Sequence, residues 1–236
     1  MHKSITVQLW LPLIFGMLLA GCSTTPRHTT QVERPLDGYP GQKPELMDDP
    51  TTVWAAHRIN AKDYFAQPND WTCNASSYIM VVRALTGQDV ALDKVVDQMG
   101  AVEGKGAENS RVVEVLRSLG PGYEVLTGQS SSHPEGRIFP ARLRAVEKSR
   151  ELGTLKQLLR DGYLVIINFR EPVEGGGHYG VLQGINDQAL EIADPYYGRS
   201  SVLAWKDFDF RTGYSDPVLH GWYVAIRPVA IEPAEI

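Results

Sequence analysis

Two cysteines in 236 residues leave no room for a disulfide framework of the kind that staples small secreted domains. Cys and His are not clustered at metal-ligand spacing, and no glycine-rich phosphate loop is present, so no cofactor is implied. Lys and Arg number 23 against 28 Asp and Glu, a formal net charge of −5. Nothing in that balance suggests the basic surface on which a nucleic-acid partner depends, and none is expected. No internal repeat is visible. The one extended apolar stretch, Ile5 to Ala20, is too short and too weakly flanked to read as a membrane span. What remains is ordinary for a globular protein: 43% apolar and 22% charged residues, enough to fold without staples.

The apolar stretch has another use. Lys3 precedes it as a short positive region, and it ends in Leu18-Leu19-Ala20-Gly21-Cys22. This is the order of a secretory signal peptide, and the final run resembles the bacterial lipobox, in which the cysteine is acylated before cleavage. Residues 1–21 are therefore expected to be removed and Cys22 to carry lipid. Ser23 follows, and no Asp stands there to resemble an inner-membrane retention signal. An outer-membrane lipoprotein facing the periplasm is the expectation. Residues 22–50, rich in Thr, Pro, Gly and charge without apolar periodicity, read as a flexible tether. Residues 51–236 read as one domain. If Cys22 is acylated, Cys73 is left as a lone thiol, either buried and inert or reactive.

Helical spacing predicts a helix from Asp70 to Thr86, with Asp70 or Thr72 as cap and Gly87 as stop. Further helices are expected over Leu92–Met99, Asn109–Leu119, Ala141–Ser149 and Thr154–Arg160. After Gly162 the character changes. Tyr163–Phe169, Tyr179–Ile185, Ala189–Ala193, Ser201–Trp205 and Trp222–Ile226 are β-type runs, and Asn186-Asp187-Gln188 is a plausible hairpin turn. Helices followed by strands argue for an α+β domain with segregated layers and an antiparallel sheet.

Cys73 falls in the first turn of the first helix, where the helix dipole favours a thiolate. A thiolate needs a basic partner, and His57, His133, His178 and His220 are the candidates in the domain. His178 follows Gly175-Gly176-Gly177 and opens a strand, so backbone and substrate can approach its imidazole. Asp194 ends the next strand. If the two strands pair as a hairpin, His178 and Asp194 become neighbours at one sheet edge, and the carboxylate can orient the imidazole. Gln67, just ahead of Pro68, could offer its amide to an oxyanion. Trp54, Trp71, Trp205 and Trp222 read as core or groove walls. His220 reads as structural, Asp207 and Asp209 as a solvated turn, and Tyr196-Tyr197-Gly198 as a loop that could border a cleft.

Gln67, Cys73 on its helix, Gly177-His178-Tyr179 on a strand and Asp194-Pro195-Tyr196 together resemble the papain-like cysteine peptidases, and among them the C39-like family. The resemblance spans roughly Ala61 to Pro228. It implies a papain-like fold, with the Cys helix followed by an antiparallel sheet carrying His and Asp. It implies Cys73 as nucleophile, His178 as general base and acid, Asp194 as orienter and Gln67 as oxyanion donor, acting on a peptide or protein substrate. Asn74 departs from the Gly common after the nucleophile. Related alternatives are a transglutaminase-like enzyme or a peptidoglycan hydrolase, although the latter's usual Asp-Cys-Ser differs from Thr72-Cys73-Asn74. A third is an inactive peptide-binding or scaffolding protein of an envelope assembly.

Overall fold

The computed structural model describes residues 44–128, 152–170, 177–204 and 222–229. Among them, in chain order, are β1 (Val53–Trp54), α1 (Cys73–Thr86), α2 (Leu92–Met99), α3 (Asn109–Arg117) and β2 (Tyr123–Gly128). Then come a helix over 152–160, here α4, and β3 (Leu164–Arg170), β4 (Gly177–Ile185), β5 (Ala189–Asp194), β6 (Arg199–Ala204) and β7 (Tyr223–Pro228). The signal segment, Cys22, the helix expected over 141–149, His133, Trp205, Asp207, Asp209 and His220 lie outside the described residues.

The strands form one antiparallel sheet of seven, in the order β2-β7-β3-β4-β5-β6, with β1 added to β4. The α+β class with an antiparallel sheet is as expected. Side chains alternate across each strand, and both faces of this sheet are covered. On one face Leu164, Ile166, Val181, Val224 and Ile226 share a core with Ile79, Val82, Val95, Met99, Val112 and Leu116 of α1 to α3. On the other, Val165, Ile167, Phe169, Leu182 and Ile192 share a core with Leu155, Leu158 and Leu159 of α4. The layers are therefore not fully segregated, since a helix also covers the second face. Double coverage explains why β3 opens on four consecutive apolar residues, Leu164 to Ile167, rather than alternating.

Helix α1 is the central helix. Ile79, Met80 and Val81 are fully buried, and each such side chain contributes about 1.5–3 kcal/mol relative to exposure. It stops at Gly87, whose φ of 68° is left-handed and whose N–H closes on the Arg83 carbonyl at 2.8 Å, the usual use of glycine at a helix end. It starts at Cys73, later than the Asp70 start expected. Thr72 occupies the N-cap position but makes no side-chain capping bond; its hydroxyl is buried and finds no partner among the described residues.

Two further differences matter. The tether was expected to reach Pro50, but the chain is already packed at Pro44–Asp48, a 3-10 helix with Met47 buried. Asn186 Nδ2 donates to the Leu46 carbonyl at 2.7 Å, and Thr52 Oγ1 donates to the Met47 carbonyl at 3.1 Å. Met47 supplies the apolar anchor that the composition of the segment obscures. Second, β2 lies in a segment read as loop, and pairs along its whole length with β7. No described helix is long and apolar enough to cross a membrane.

Candidate active site

The β4–β5 hairpin brings His178 and Asp194 together. Its turn is closed by Asn186, whose Oδ1 accepts the N–H groups of Gln188 and Ala189, both at 2.8 Å. Asn186 does here what an Asn-Gly pair does in other hairpins. Val181 pairs with Ala193, so continuing the register by one residue sets Asp194 against Gly180. Gly180 has no side chain, and a Cβ there would lie 2.4 Å from Ile192 Cγ2. His178 shares the face of Gly180 by strand alternation, and the space left above Gly180 is taken by Ile192. His178 Nε2 and Asp194 Oδ1 are 2.7 Å apart. The same oxygen accepts the Tyr196 N–H at 2.9 Å. His178 is 4% exposed and Asp194 0%.

Cys73 completes the group from the helical layer. It is 5% exposed, so burial does not separate an inert from a reactive thiol here; its neighbours do. Burial alone pushes the His178 pKa down. The charge of Asp194 and its hydrogen bond, followed by the hydrogen bond and charge of Cys73, outweigh that and raise it to about 10. With Nε2 engaged by Asp194, Nδ1 is the ring nitrogen left for the thiol. The imidazole is also walled by Phe169 and Tyr196, edge-to-face at 5.1 and 6.1 Å between centroids. Rings on both sides lower the local dielectric, which strengthens the hydrogen bond between His178 and Asp194.

The start of α1 supplies donors. The Ser76 N–H is taken by the Thr72 carbonyl and the Ala75 N–H by Asn74 Oδ1. The Cys73 N–H, as the first of the helix, has no intrahelical acceptor. The Thr72 side chain makes no capping bond to it.

Gln67 is 5% exposed. Its N–H donates to the Pro195 carbonyl at 2.9 Å, which ties it to the residue after Asp194. Its Nε2 donates to the Asn69 carbonyl at 2.6 Å, one of the two N–H bonds that an amide offers. Its Oε1 is buried without a partner among the described residues. Thus Cys73, His178 and Asp194 converge, and the Gln67 backbone is tied to Pro195 beside them. His57 is exposed and stands apart from them in the contacts described.

One polar cluster escapes the sequence reading. Asn109 Oδ1, at the start of α3, accepts from the Tyr179 hydroxyl and from Asn168 Nδ2, the latter at 3.1 Å. Tyr179 lies close enough to Cys73 that, after burial, the Cys73 charge is a cause of its raised pKa. The available signal was Asn168, a lone amide inside the apolar run of β3. Among the described residues, no group of three His, Cys, Asp or Glu is placed to hold a metal ion.

No family model and no curated protein matches the chain. Solved structures do. One is a double glycine motif protease from an AMS/PCAT transporter, in complex with the leader peptide: 17% identity over 74% of this chain and 95% of that one, TM-score 0.48. Another is the peptidase domain of Streptococcus ComA, a bi-functional ABC transporter involved in a quorum sensing pathway: 16% identity, 70% and 95% coverage, TM-score 0.46. A third is described as a C39-like peptidase from Bacillus anthracis: 11% identity, 75% and 98% coverage, TM-score 0.48.

Proposed function

We propose that the chain is a papain-like thiol hydrolase that cleaves a peptide or amide bond, held at the cell envelope by lipid on Cys22. The observation that carries the catalytic part is the buried His178–Asp194 pair facing a thiol at an uncapped helix start. Asp194 fixes the ring through Nε2, and Nδ1 takes the proton of Cys73 Sγ. The sulfur bonds to the substrate carbonyl carbon, and the carbonyl π electrons move onto oxygen. The Cys73 N–H and the Gln67 amide stabilise that oxyanion. As the carbonyl re-forms, the C–N bond breaks and Nδ1–H protonates the leaving amine. Water, giving a proton to Nδ1, then attacks the thioester. The C–S bond breaks as the acid product leaves, and the thiolate is left facing the protonated imidazole, as at the start.

The membrane part of the reading is supported by residues 1–22 alone. A charged start, an apolar stretch and a Leu-Ala-Gly-Cys ending favour export and acylation of Cys22. Acyl chains contribute about 0.8 kcal/mol per buried CH₂, so several hold a protein durably. Ser23 favours the outer membrane, facing the periplasm. The substrate is then a peptide or protein of that compartment.

Iodoacetamide labelling of Cys73 across pH tests the catalytic part, with protein from Ser23 onward, wild type against His178→Ala. Rapid labelling below neutral pH that collapses in the variant is expected. Labelling that rises only near the free-thiol value of about 8.5, unaffected by His178, overturns the reading. Turnover of a peptide pool by wild type and not by Cys73→Ala then separates a hydrolase from a binding protein. The mass of the mature N-terminus from membranes tests the lipid: an acylated Cys22 is expected, and an unmodified one refutes it.

A further inference from the structure

The Cys73 helix and the His178 strand come from different layers, yet their relative position has to be held to a fraction of an ångström for proton transfer. Direct packing of α1 on β4 supplies part of this. A second path runs beside it through polar side chains.

The path begins one residue past the nucleophile. Asn74 is fully buried, and its Nδ2 donates to the Ala107 carbonyl at 3.3 Å. The loop is pressed close at that point: a Cβ on Gly106 would stand 3.2 Å from the Trp71 carbonyl oxygen and 3.4 Å from Asn74 Nδ2. Two residues beyond Ala107, Asn109 receives the hydroxyl of Tyr179 and the amide of Asn168. Tyr179 and Asn168 are cross-strand partners on β4 and β3. Asn168 is anchored further by its N–H on the Trp222 carbonyl at 3.1 Å, and the Tyr179 ring stands edge-on to Trp222 at 5.8 Å. The path ends one residue past the imidazole.

From this we infer that Asn74, Asn109, Tyr179 and Asn168 form a hydrogen-bonded brace that sets the separation of Cys73 Sγ and His178 Nδ1. They are positioning residues and touch no reacting atom in the scheme. The two ends of the brace are the chain neighbours of the two reacting residues, which satisfying polar groups does not by itself require. Burial, with the Cys73 charge next, holds the Tyr179 phenol well above its ordinary value, so its hydroxyl stays a donor throughout the working range. The brace also gives Asn74 a purpose: a Gly at that position has no amide to reach Ala107.

The inference rests on the thiol–imidazole pair proposed above, and the same labelling assay separates the two. Tyr179→Phe removes one oxygen and keeps the ring against Trp222. Asn74→Ala removes the other end. Each is expected to slow Cys73 labelling at neutral pH by roughly ten- to a hundredfold and to move the pH profile toward that of His178→Ala, while the circular-dichroism unfolding transition stays cooperative. Residues acting as one path are non-additive, so the double variant is expected to lose no more than the worse single one. If Asn74→Ala does not fold, Asn109→Ala against Asn109→Asp reads the same property, since only Asp keeps an acceptor. A Tyr179→Phe profile identical to wild type, with His178→Ala different, overturns the brace alone. Losses that multiply in the double variant also overturn it. Wild type matching His178→Ala overturns the pair and the brace together.

Discussion

His178 carries a charge that its surroundings both oppose and hold. Burial works against the imidazolium, and the Asp194 carboxylate, with Cys73 behind it, prevails. The folded-state pKa of about 10 lies above the unfolded value of about 6.5, so the folded state binds this proton more tightly. Its contribution to stability is complete below about pH 6.5 and is lost as pH rises through about 10. The thermal midpoint of wild type is therefore expected to fall between those values, with a shallower decline in His178→Ala. Melts at successive pH values check this, and parallel declines refute it. Of the four candidate site residues, the proximity of His178 and Asp194 was legible because a hairpin makes one strand's start and the next one's end adjacent, whereas no spacing in the sequence places Cys73 beside them. Gly180, whose missing side chain makes room for Ile192 Cγ2, was not legible, because its need arises only from that side chain on the neighbouring strand. The Asn168–Asn109–Tyr179 cluster was hidden for the same reason, since its members come from three elements.

At the scale of elements, Asn186 does more than close a turn. Its Oδ1 holds the two N–H groups of the hairpin, and its Nδ2 reaches the Leu46 carbonyl and Thr52 Oγ1 at 2.7 and 2.9 Å. Asn186→Ala leaves these groups unpaired near a buried position, at roughly 1–3 kcal/mol for each buried group left without a partner. A lower urea midpoint is expected, and earlier proteolytic cutting near residues 44–52, which the side chain ties down. An unchanged cutting pattern counts against that tie. Strands β3 to β7 were readable from their Val and Ile content. Strand β2 was not: it is an edge strand, largely half-buried or exposed, enclosed by glycines, and its partner β7 lies near the far end of the sequence. Strand β1, two residues long, gives no periodicity to read. The start of α1 was misplaced because polar residues before Cys73 look like caps, whereas the helix begins uncapped at the thiol.

Across the whole molecule, the site depends on α1 staying docked on the sheet. Ile79 is fully buried in the core between α1 and the strands. Ile79→Ala is expected to cost about 2–5 kcal/mol, measured by urea unfolding, and to leave the pH profile of Cys73 labelling unchanged as long as the protein is folded. A shifted profile in fully folded protein implies that the cavity alters the site itself. The hairpin has another consequence, for the order of assembly. His178 and Asp194 are 16 residues apart in the chain, a short loop that closes at little entropic cost, whereas Cys73 arrives from a distant segment and pairs late. His178 and Asp194 can thus meet before Cys73 reaches them. The sulfur gains its partner only when the helical layer docks on the sheet, so the three side chains come together with the last long-range contacts of the fold and not before.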